Sequence, residues 1–479
     1  MVKKFYITTA IDYVNASPHV GHAYEKIIAD VIARWHRLLG EDVFFLTGTD
    51  ENAQKNVKAA KEAKVPVKKF IDKHAKEFID LCRKLNLSND DFIRTTESRH
   101  LIVVQQFFRK IEEKGDIYKA KYEGLYCTGC EAFLTEKDLV DGKCPEHNIK
   151  PEILKEESYF FKLSKYKDKI LDYIKNKDFI QPISKRNEIL ERLKEPLKDL
   201  SVSRCAIDWG IPCPTDPSHR IYVWIDALVN YISALDYPST KFKKYWPADI
   251  HLIGKGINWF HSVIWPALLF SAGIELPKKI FVHGYLTVNG QKISKSLGNI
   301  IDPIFIINKY GADSLRYFLL REIPVTTDGD FSEIALKERH NSELADKLGN
   351  LVSRVSALVE RYGIKKCENK LIKNFDIKKI KEFMENYELD KALEEIFSFI
   401  DECNRHVQQK KPWETKDSGI LYELADSIKA IAVLLWPFIP ASCEKISKQF
   451  GFAITFENIK KPLKEKKIVK GEILFKKIK

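Results

Sequence analysis

The 479-residue sequence predicts an α/β protein whose parallel sheet is followed by a bundle of helices. An apolar segment typical of a buried strand, residues 4–9, precedes a loop and then apolar residues at helical spacing from 27 to 39. Gly40, a residue typical of a helix end, is followed by a second strand-like segment at residues 42–47. This strand–loop–helix–strand order begins a parallel unit, whose ligands bind beyond the carboxyl ends of its strands.

The texture of the sequence then changes twice. Between residues 118 and 148 glycine, cysteine and charged residues dominate, which indicates an insertion into the α/β domain. Apolar segments at 222–225, 251–254 and 279–283 indicate that the α/β domain resumes. From residue 334 nearly to 450 apolar residues recur at helical spacing, which predicts a helical second half.

Composition bounds the kind of protein. The chain is 44% hydrophobic and 30% charged, as in a soluble globular protein, and it has no apolar run near the ~20 residues of a membrane span. Its net charge of +12 suits a polyanionic partner, but a lysine-rich proteome explains the charge equally well. A strand begins almost at the first residue, so we expect neither a secretory signal nor a transit peptide.

The cysteines point to a metal rather than to disulfides. Of the nine, only Cys127, Cys130 and Cys144 cluster, which indicates a reducing compartment, the cytoplasm, and one metal site. With His147 they form two closely spaced ligand pairs, which suit one tetrahedral Zn²⁺ per chain. Protein fills all four positions, so we expect the zinc to be structural. The alternative is three free cysteines beside a chance histidine.

The loop after the first strand contains His19, Gly21 and His22, just ahead of the first helix. A helix N-terminus offers unpaired N–H groups that favour phosphate, and imidazoles there can donate to phosphoryl oxygens. Gly21 would let a flat nucleotide lie close to the backbone. For this motif alone, two ordinary loop histidines are a serious alternative.

A second loop, Lys292-Ile-Ser-Lys295-Ser-Leu-Gly, follows the strand-like segment at 279–282. Two lysines flanking small hydroxyl residues suit a clamp on polyphosphate. Alone, a solvated basic loop would be the better interpretation. Together with the histidine motif in the first α/β unit, the interpretation as a solvated basic loop becomes remote.

These two motifs resemble the signatures of class I aminoacyl-tRNA synthetases, which activate an amino acid with ATP and transfer it to tRNA. Isoleucine replaces the methionine usual in the second signature and leaves both lysines in place. The resemblance implies that His19, His22, Lys292 and Lys295 are catalytic and that Mg²⁺ accompanies ATP. It implies an ATP site made by residues of both motifs and of the adenosine surroundings: His19, Gly21, His22, Glu25, Gly254, Leu286, Lys292 and Lys295.

Four further segments, at 6–15, 45–51, 222–231 and 253–261, resemble methionyl-tRNA synthetases throughout. The resemblance implies that Asp50 pairs with the α-ammonium of methionine. It also implies an apolar and aromatic side-chain pocket of Ile11, Tyr13, Trp224, Ala227, Leu228, Tyr231, Ile257, His261 and Trp265. Aromatic walls suit a polarizable thioether, although each aromatic taken singly would be interpreted as core.

The sequence departs from this family at two places. Asn52-Ala53 stands where the family usually has His-Gly, and Gly256 stands where it usually has aspartate. That aspartate helps hold the nucleotide ribose in the family, so position 256 lacks this group here.

Three residues of the helical half match the anticodon-binding positions of the family: Asn350, Arg354 and Trp413. Asn350 and Arg354 lie four apart and share a helix face. Such side chains can read exposed base edges, and tryptophan can stack on an unpaired base. The resemblance implies that these residues bind the CAU anticodon. Without the resemblance, a surface ion-pairing residue and a core tryptophan would be the better interpretation.

The resemblance therefore implies a Rossmann-like parallel-sheet catalytic domain split by a zinc-binding connective insertion and followed by a helical anticodon-binding domain. The expected ranges are 1–115 and 221–275 for the catalytic halves, 116–220 for the insertion, 276–335 for a stem-contact region carrying the lysine motif, and 336–479 for the anticodon-binding domain with its tail. The expected partners are tRNA(Met), L-methionine and ATP, without a membrane. Many relatives continue into a further tRNA-binding and dimerising domain. The resemblance to that domain is absent from this sequence, so we expect a monomer.

Other classes of protein explain the sequence less well. A synthetase for isoleucine, leucine or valine carries a large editing insertion, whereas the interval here is only about a hundred residues. A cysteinyl enzyme would hold its zinc against the amino acid. A small-molecule nucleotidylyltransferase would not need the zinc motif or the helical half, and a non-enzymatic RNA-binding scaffold predicts damaged nucleotide motifs.

Overall fold

The computed structural model describes residues 2–129, 132–134, 136–146, 148–176, 178–205, 207–293, 298–465 and 467–479. Its strands are β1 (Lys4–Thr9), β2 (Asp12–Tyr13), β3 (Asp42–Asp50), β4 (Asp91–Arg94), β5 (Ile117–Cys127), β6 (Ala132–Leu134), β7 (Glu152–Phe161), β8 (Ile180–Gln181), β9 (Leu200–Ser201), β10 (Ser203–Arg204), β11 (Arg220–Ile221), β12 (Ile250–Gly254), β13 (Ile280–His283), β14 (Leu286–Val288), β15 (Gln291–Lys292) and β16 (Gly329–Phe331). Its α-helices are α1 (Val20–Leu38), α2 (Gln54–Glu62), α3 (Val67–Lys84), α4 (Ser98–Glu113), α5 (Lys167–Asn176), α6 (Ile183–Arg192), α7 (Val223–Ser233), α8 (Thr240–Tyr245), α9 (Trp265–Ala272), α10 (Pro303–Tyr310), α11 (Ala312–Glu322), α12 (Glu333–Arg339), α13 (Asn350–Tyr362), α14 (Ile377–Glu385), α15 (Leu389–Lys410), α16 (Pro412–Thr415), α17 (Ser418–Leu435) and α18 (Pro440–Phe450). Two π-helical segments, Phe260–Ile264 and His340–Gly349, run into α9 and α13.

A parallel sheet forms the centre of the first half. Within the described ranges its strand order is β2–β3–β1–β12–β13–β8, and β4 also pairs with β3. Every pairing is parallel, and Ile7 lies between Phe45 and Ile250 in the register. The predicted parallel α/β unit is thereby confirmed. Because these strands are parallel, the carboxyl ends of β1, β3 and β12 lie together at one end of the sheet.

One apolar segment forms a different element from its neighbours. Residues 251–254 and 279–283 fall in and beside β12 and β13, whereas residues 222–225 begin helix α7. The α7 residues are all buried. A short continuous apolar run does not by itself distinguish a buried strand from a buried helix.

The two faces of the sheet are covered by different layers. Phe5 and Ile7 of β1 face a core that contains α1, whereas Tyr6 between them faces a core formed by α4, α7 and α9. Successive strand residues point to opposite faces, which explains why residues 5–7 are all apolar or aromatic. The sheet is therefore the middle of three layers.

The core on the α1 face continues into the helical half, whose helical character the sequence predicts and the structure confirms. Arg316 of α11 is fully buried at this junction. Its guanidinium pairs with Asp30 of α1 at 2.7 Å and donates to the backbone oxygens of Pro437 and Phe438 at 2.7 and 2.8 Å. A buried charge is tolerated only when it is paired and fully hydrogen-bonded, so these contacts fix the helical half against α1.

The insertion is a separate antiparallel sheet with the strand order β6–β5–β7–β9. Strands β5 and β7 pair along their length, from Ile117 with Phe161 to Tyr126 with Glu152. This sheet carries the turns that follow Cys127 and precede Asn148. No helix in the described ranges is both long and apolar enough to cross a membrane.

Candidate active site

A cavity of about 410 Å³ opens beyond the carboxyl ends of β1, β3 and β12. Ala10 follows β1, Asp50 ends β3 and Gly254 ends β12, and all three line this cavity. His19 and His22 line it as well. The structure thus brings both halves of the sheet to one site, at the edge where parallel α/β sheets bind ligands.

His19 and His22, the histidine pair, cap the N-terminus of α1 with their own side chains. The Gly21 N–H donates to His19 Nδ1 at 3.1 Å, and the His19 N–H donates to His22 Nδ1 at 3.0 Å. The rings are stacked with centroids 3.7 Å apart. Because Nδ1 accepts in both rings, each neutral imidazole carries its proton on Nε2.

Burial keeps the histidine pair uncharged. Burial, with the neighbouring His22 adding, lowers the pKa of His19 to about 2. Burial, with nearby Lys26 adding, lowers the pKa of His22 to about 3. At neutral pH both rings are therefore neutral N–H donors at the edge of the cavity.

The space beside Gly21 is filled by the imidazole of His19. Gly21 itself does not line the cavity. A Cβ at Gly21 would stand 2.9 Å from His19 Cε1 and 3.0 Å from His19 Nδ1. The missing side chain therefore makes room for the imidazole of His19, and the approach of a nucleotide to Gly21 stays a prediction.

Two of the three residues expected around adenosine line the cavity. Glu25 and Gly254 line the cavity, whereas Leu286 is a buried residue of β14 outside its lining. Glu25 Oε2 lies 2.9 Å from His283 Nε2, and His283 Nδ1 lies 2.7 Å from the Gly284 oxygen. Both nitrogens of His283 thus face acceptors, which holds the Glu25 carboxylate at the cavity wall.

The expected methionine residues converge, with one exception. Those that line the cavity are Ile11, Tyr13, Asp50, Trp224, Ala227, Leu228, Tyr231, Ile257 and His261. Trp265 is fully buried and lies behind this wall, with its ring centroid 6.2 Å from that of Tyr231. Trp265 is therefore outside the lining of this cavity, and its contact with methionine stays a prediction.

Tyr231 and His261 form a buried neutral pair in this wall. The hydroxyl of Tyr231 lies 2.7 Å from His261 Nε2, and His261 Nδ1 lies 3.0 Å from the Ile257 oxygen. A carbonyl can only accept, so Nδ1 carries the proton and the Tyr231 hydroxyl donates to Nε2. Burial lowers the pKa of His261 to about 4, which keeps the ring neutral.

Sequence reasoning missed several residues that build the site. Phe260 stacks on Trp224 with centroids 3.7 Å apart and planes 8° apart. Beneath α7 the fully buried Asp226 accepts from Asn52 Nδ2 at 2.8 Å and contacts His100 Nε2 at 2.6 Å. Asn52, seen in the sequence only as a departure, therefore anchors the helix that carries Trp224. The long sequence separations hide this network.

The lysine motif is only partly within the described residues. Lys292 belongs to β15, which pairs with β14, and Lys295 lies outside the described residues. Ile293 lines the cavity, and its Cδ1 would lie 3.8 Å from a Cβ on Gly21. The loop therefore starts beside the histidine pair.

The proposed zinc ligands are likewise partly described. The Cys127 and Cys144 thiols are 0% and 1% exposed, while Cys130 and His147 lie outside the described residues. In the remainder of the chain that the structure describes, no group of three or more metal-ligating side chains occurs. Two buried thiols on neighbouring turns fit a soft metal in their donor chemistry.

The three expected anticodon residues lie on neighbouring helices. Asn350 is exposed at the start of α13, and Arg354 and Trp413 are half-buried. The guanidinium carbon of Arg354 lies 4.6 Å from the ring centroid of Trp413. This cation–π contact presents a planar charged group beside an indole, an arrangement suited to a base.

Comparison with known proteins agrees with this geometry. A family described as tRNA synthetases class I (M) matches residues 5–150 and 147–356, and the anticodon-binding domain of tRNA ligase matches residues 373–477. A methionine–tRNA ligase of Caldanaerobacter subterraneus subsp. tengcongensis is 46% identical over 507 residues, covering 100% of this chain and 79% of that protein. One from Rickettsia felis is 46% identical, covering 94% and 93%.

Solved structures give the same result. Mycobacterium tuberculosis methionyl-tRNA synthetase in complex with methionyl-adenylate superposes with a TM-score of 0.95 at 38% identity, covering 99% of this chain and 100% of that one. The free form of that enzyme superposes with a TM-score of 0.87. With its parallel sheet, its helical second half and these full-length similarities, the chain belongs to the methionyl-tRNA synthetase family of class I tRNA synthetases.

Proposed function

We propose that this chain activates L-methionine with ATP to methionyl-adenylate and transfers the methionyl group to tRNA(Met), releasing pyrophosphate and AMP. One observation carries the proposal. A single cavity is lined both by Asp50 and a neutral aromatic pocket and by the histidine pair on a helix N-terminus. An amino acid and a triphosphate can therefore meet within one space.

Asp50 and the aromatic part of the cavity wall are proposed to bind methionine. Asp50, 2% exposed, offers its carboxylate to the α-ammonium group. Trp224 stacked on Phe260 forms a flat apolar wall, and the uncharged pair of Tyr231 and His261 adds polarity without charge. These surfaces suit a thioether, which is polarizable and carries no charge. Trp265 supports Tyr231 from behind.

The histidine pair and the lysine motif are proposed to promote the reaction of methionine with ATP. The methionine carboxylate attacks the α-phosphorus, a P–O bond forms, and the bond to pyrophosphate breaks. No general base is needed, because the carboxylate is already ionised. The Nε2–H groups of the histidine pair donate to phosphoryl oxygens while Lys292 and Lys295 supply positive charge, so catalysis rests on positioning and charge stabilisation. Mg²⁺ bound with ATP would neutralise part of the phosphate charge.

Transfer to tRNA adds a second step and a second surface. The terminal adenosine hydroxyl of tRNA attacks the carbonyl of the mixed anhydride and displaces AMP. Asn350, Arg354 and Trp413 are proposed to bind the CAU anticodon, since an exposed amide and a guanidinium over an indole suit unpaired bases.

The finer assignments are also proposals. Cys127, Cys130, Cys144 and His147 would hold one structural Zn²⁺, which would fasten the two turns of the insertion together. The domain ranges given above, a cytoplasmic location and a monomeric state complete the proposal. Metal analysis, limited proteolysis and sedimentation of the purified chain test the zinc, the ranges and the monomer in turn.

The decisive experiment is ATP–pyrophosphate exchange with each of the twenty amino acids in turn. We expect exchange with methionine alone; exchange with another amino acid, or none, contradicts the proposal. Lys295→Ala should slow adenylate formation far more than it weakens methionine binding, and equal losses would contradict its assignment. Trp413→Ala should lower tRNA charging and leave exchange unchanged, so a loss of exchange would contradict the anticodon assignment.

A further inference from the structure

Glu146 reaches the rim of the cavity from the insertion. It lies on the turn after the buried Cys144, where the Cys144 N–H donates to the Ile149 oxygen at 2.9 Å and the Asn148 N–H donates to the Cys144 oxygen at 2.7 Å. Its Oε2 lies 3.7 Å from the point that a Cβ on Gly256 would occupy. Gly256 lines the cavity, so this carboxylate stands at the cavity's edge.

The position beside Gly256 is occupied by Tyr285. A Cβ on Gly256 would overlap the Tyr285 hydroxyl, and Tyr285 lines the same cavity. The ring is held in place: its own N–H donates to Asp328 Oδ1 at 2.8 Å, and Lys255, paired with Asp328, lies 4.6 Å from its centroid. A phenol hydroxyl and a carboxylate thus stand where residue 256 has no side chain.

The chemistry of this rim fits one part of ATP. An ionised carboxylate only accepts hydrogen bonds and repels phosphate. The phosphates belong to the histidine pair and the lysine loop, which leaves the neutral donors of the nucleoside. Two adjacent hydroxyls can share one carboxylate.

We propose, resting on the proposed function, that Glu146 together with the Tyr285 hydroxyl binds the ribose hydroxyls of ATP. The insertion then supplies the nucleotide-binding carboxylate that position 256 lacks. Glu146 stands between two proposed zinc ligands, so the fold of that turn positions a substrate-binding group.

A second contact joins the insertion to the wall of the cavity near Tyr13. Lys55 Nζ donates to the Gly129 oxygen, on the turn after Cys127, at 3.2 Å. The same ammonium lies 3.2 Å from the ring centroid of Tyr13, which lines the cavity. The insertion therefore meets the cavity near both Tyr13 and Tyr285, and Glu146 is not on an isolated arm.

The test is methionine-dependent exchange with ATP, 2′-deoxy-ATP and 3′-deoxy-ATP. Losing a hydrogen bond to a charged group corresponds to about a 10- to 100-fold rise in KM. We expect Glu146→Ala to raise the KM for ATP by that factor, to leave the KM for methionine unchanged, and to reduce the preference for ATP over the deoxy analogues. Glu146→Gln, which keeps a neutral acceptor, should retain part of the preference. Glu136→Gln, an exposed carboxylate of the same insertion, is the matched control and should behave as wild type.

Calorimetric titration of each variant with ATP and measurement of its zinc content provide readouts other than turnover. An unchanged ATP KM in Glu146→Ala overturns the inference. So does an equal rise for ATP and both deoxy analogues, because a merely structural role would not distinguish them. If wild type shows no methionine-dependent exchange, it is the proposed function that fails.

A rescue variant tests the position itself. In Glu146→Ala, adding Tyr285→Phe removes the hydroxyl that blocks residue 256, and Gly256→Asp then supplies a carboxylate on the catalytic domain. With the hydroxyl gone, the nearest atom of residue 285 to the new Cβ is 3.5 Å away, an ordinary contact. We expect a recovered preference for ATP over the deoxy analogues. A triple variant that binds ATP no better than the double variant Glu146→Ala, Tyr285→Phe contradicts the assignment of this place to the ribose.

Discussion

A single methyl group at position 21 tests how the histidine pair works. In the structure a Cβ there would lie 2.9 Å from His19 Cε1 and 3.0 Å from His19 Nδ1. Carbon atoms prefer separations of about 3.5–4.0 Å, so in Gly21→Ala the imidazole must move by about 0.5–1 Å. That movement stretches the 3.1 Å hydrogen bond from the Gly21 N–H and redirects Nε2–H.

The expected effect falls on chemistry and not on folding. A misplacement of about 1 Å at a reacting group costs up to about 100-fold in rate, so kcat for exchange should fall about 10- to 100-fold. Losing the cap bond costs about 1 kcal/mol, and replacing glycine by alanine in a helix returns about 0.4–1 kcal/mol. Thermal stability should therefore hardly change. Methionine affinity should also be unchanged, because Gly21 does not line the cavity.

A double-mutant cycle with His19→Ala separates two explanations. If the methyl acts by displacing the imidazole, Gly21→Ala should cost nothing further once that ring is absent. If instead the methyl blocks a nucleotide lying against the backbone, the same loss appears in both backgrounds. The measurement is single-turnover adenylate formation in all four proteins. Equal losses with and without His19 refute the reasoning from the structure.

The remaining predictions concern the polar groups around the cavity. Asn52→Ala leaves one oxygen of the buried Asp226 without its 2.8 Å donor. We expect the free energy of unfolding, measured by urea titration, to fall by about 1.5–3 kcal/mol. An unchanged urea midpoint contradicts the anchoring function of Asn52. Tyr231→Phe removes the donor to His261 and should raise the KM for methionine several-fold while the KM for ATP stays constant; equal changes in both would count against the pair as part of the methionine wall. The histidine pair has pKa values of about 2 and 3 in the folded protein, against an ordinary value of 6.5. Below pH 6.5 the folded protein therefore binds fewer protons at these rings than the unfolded chain does. Stability is therefore complete above that pH and is lost as pH falls towards the folded values, by about 2 kcal/mol per ring at pH 5. Replacing both rings by asparagine should flatten the pH dependence of the urea midpoint, and parallel curves would contradict this.

Burial leaves apolar runs and periodicities in the sequence, and these were sufficient to predict β1, α1 and the helical half. The histidine pair and most of the cavity wall were predicted only through the resemblance of their motifs to a known family. Asp226 and His100 carry no such signal: they meet Asn52 from distant parts of the chain, and nothing local distinguishes their polar side chains from surface ones. The same limit applies to Glu146, whose neighbours in sequence indicate a metal and not a sugar.

The charge distribution around the triphosphate follows from burial. His19 and His22 are too buried to carry a proton on both nitrogens, so the wall at the start of α1 can donate hydrogen bonds without holding net charge. An empty cavity lined with two imidazolium rings would cost several kcal/mol of desolvation. In the proposed reaction, positive charge must therefore reach the phosphates from groups outside this wall, and this is the role proposed for Lys292, Lys295 and the cation bound with ATP.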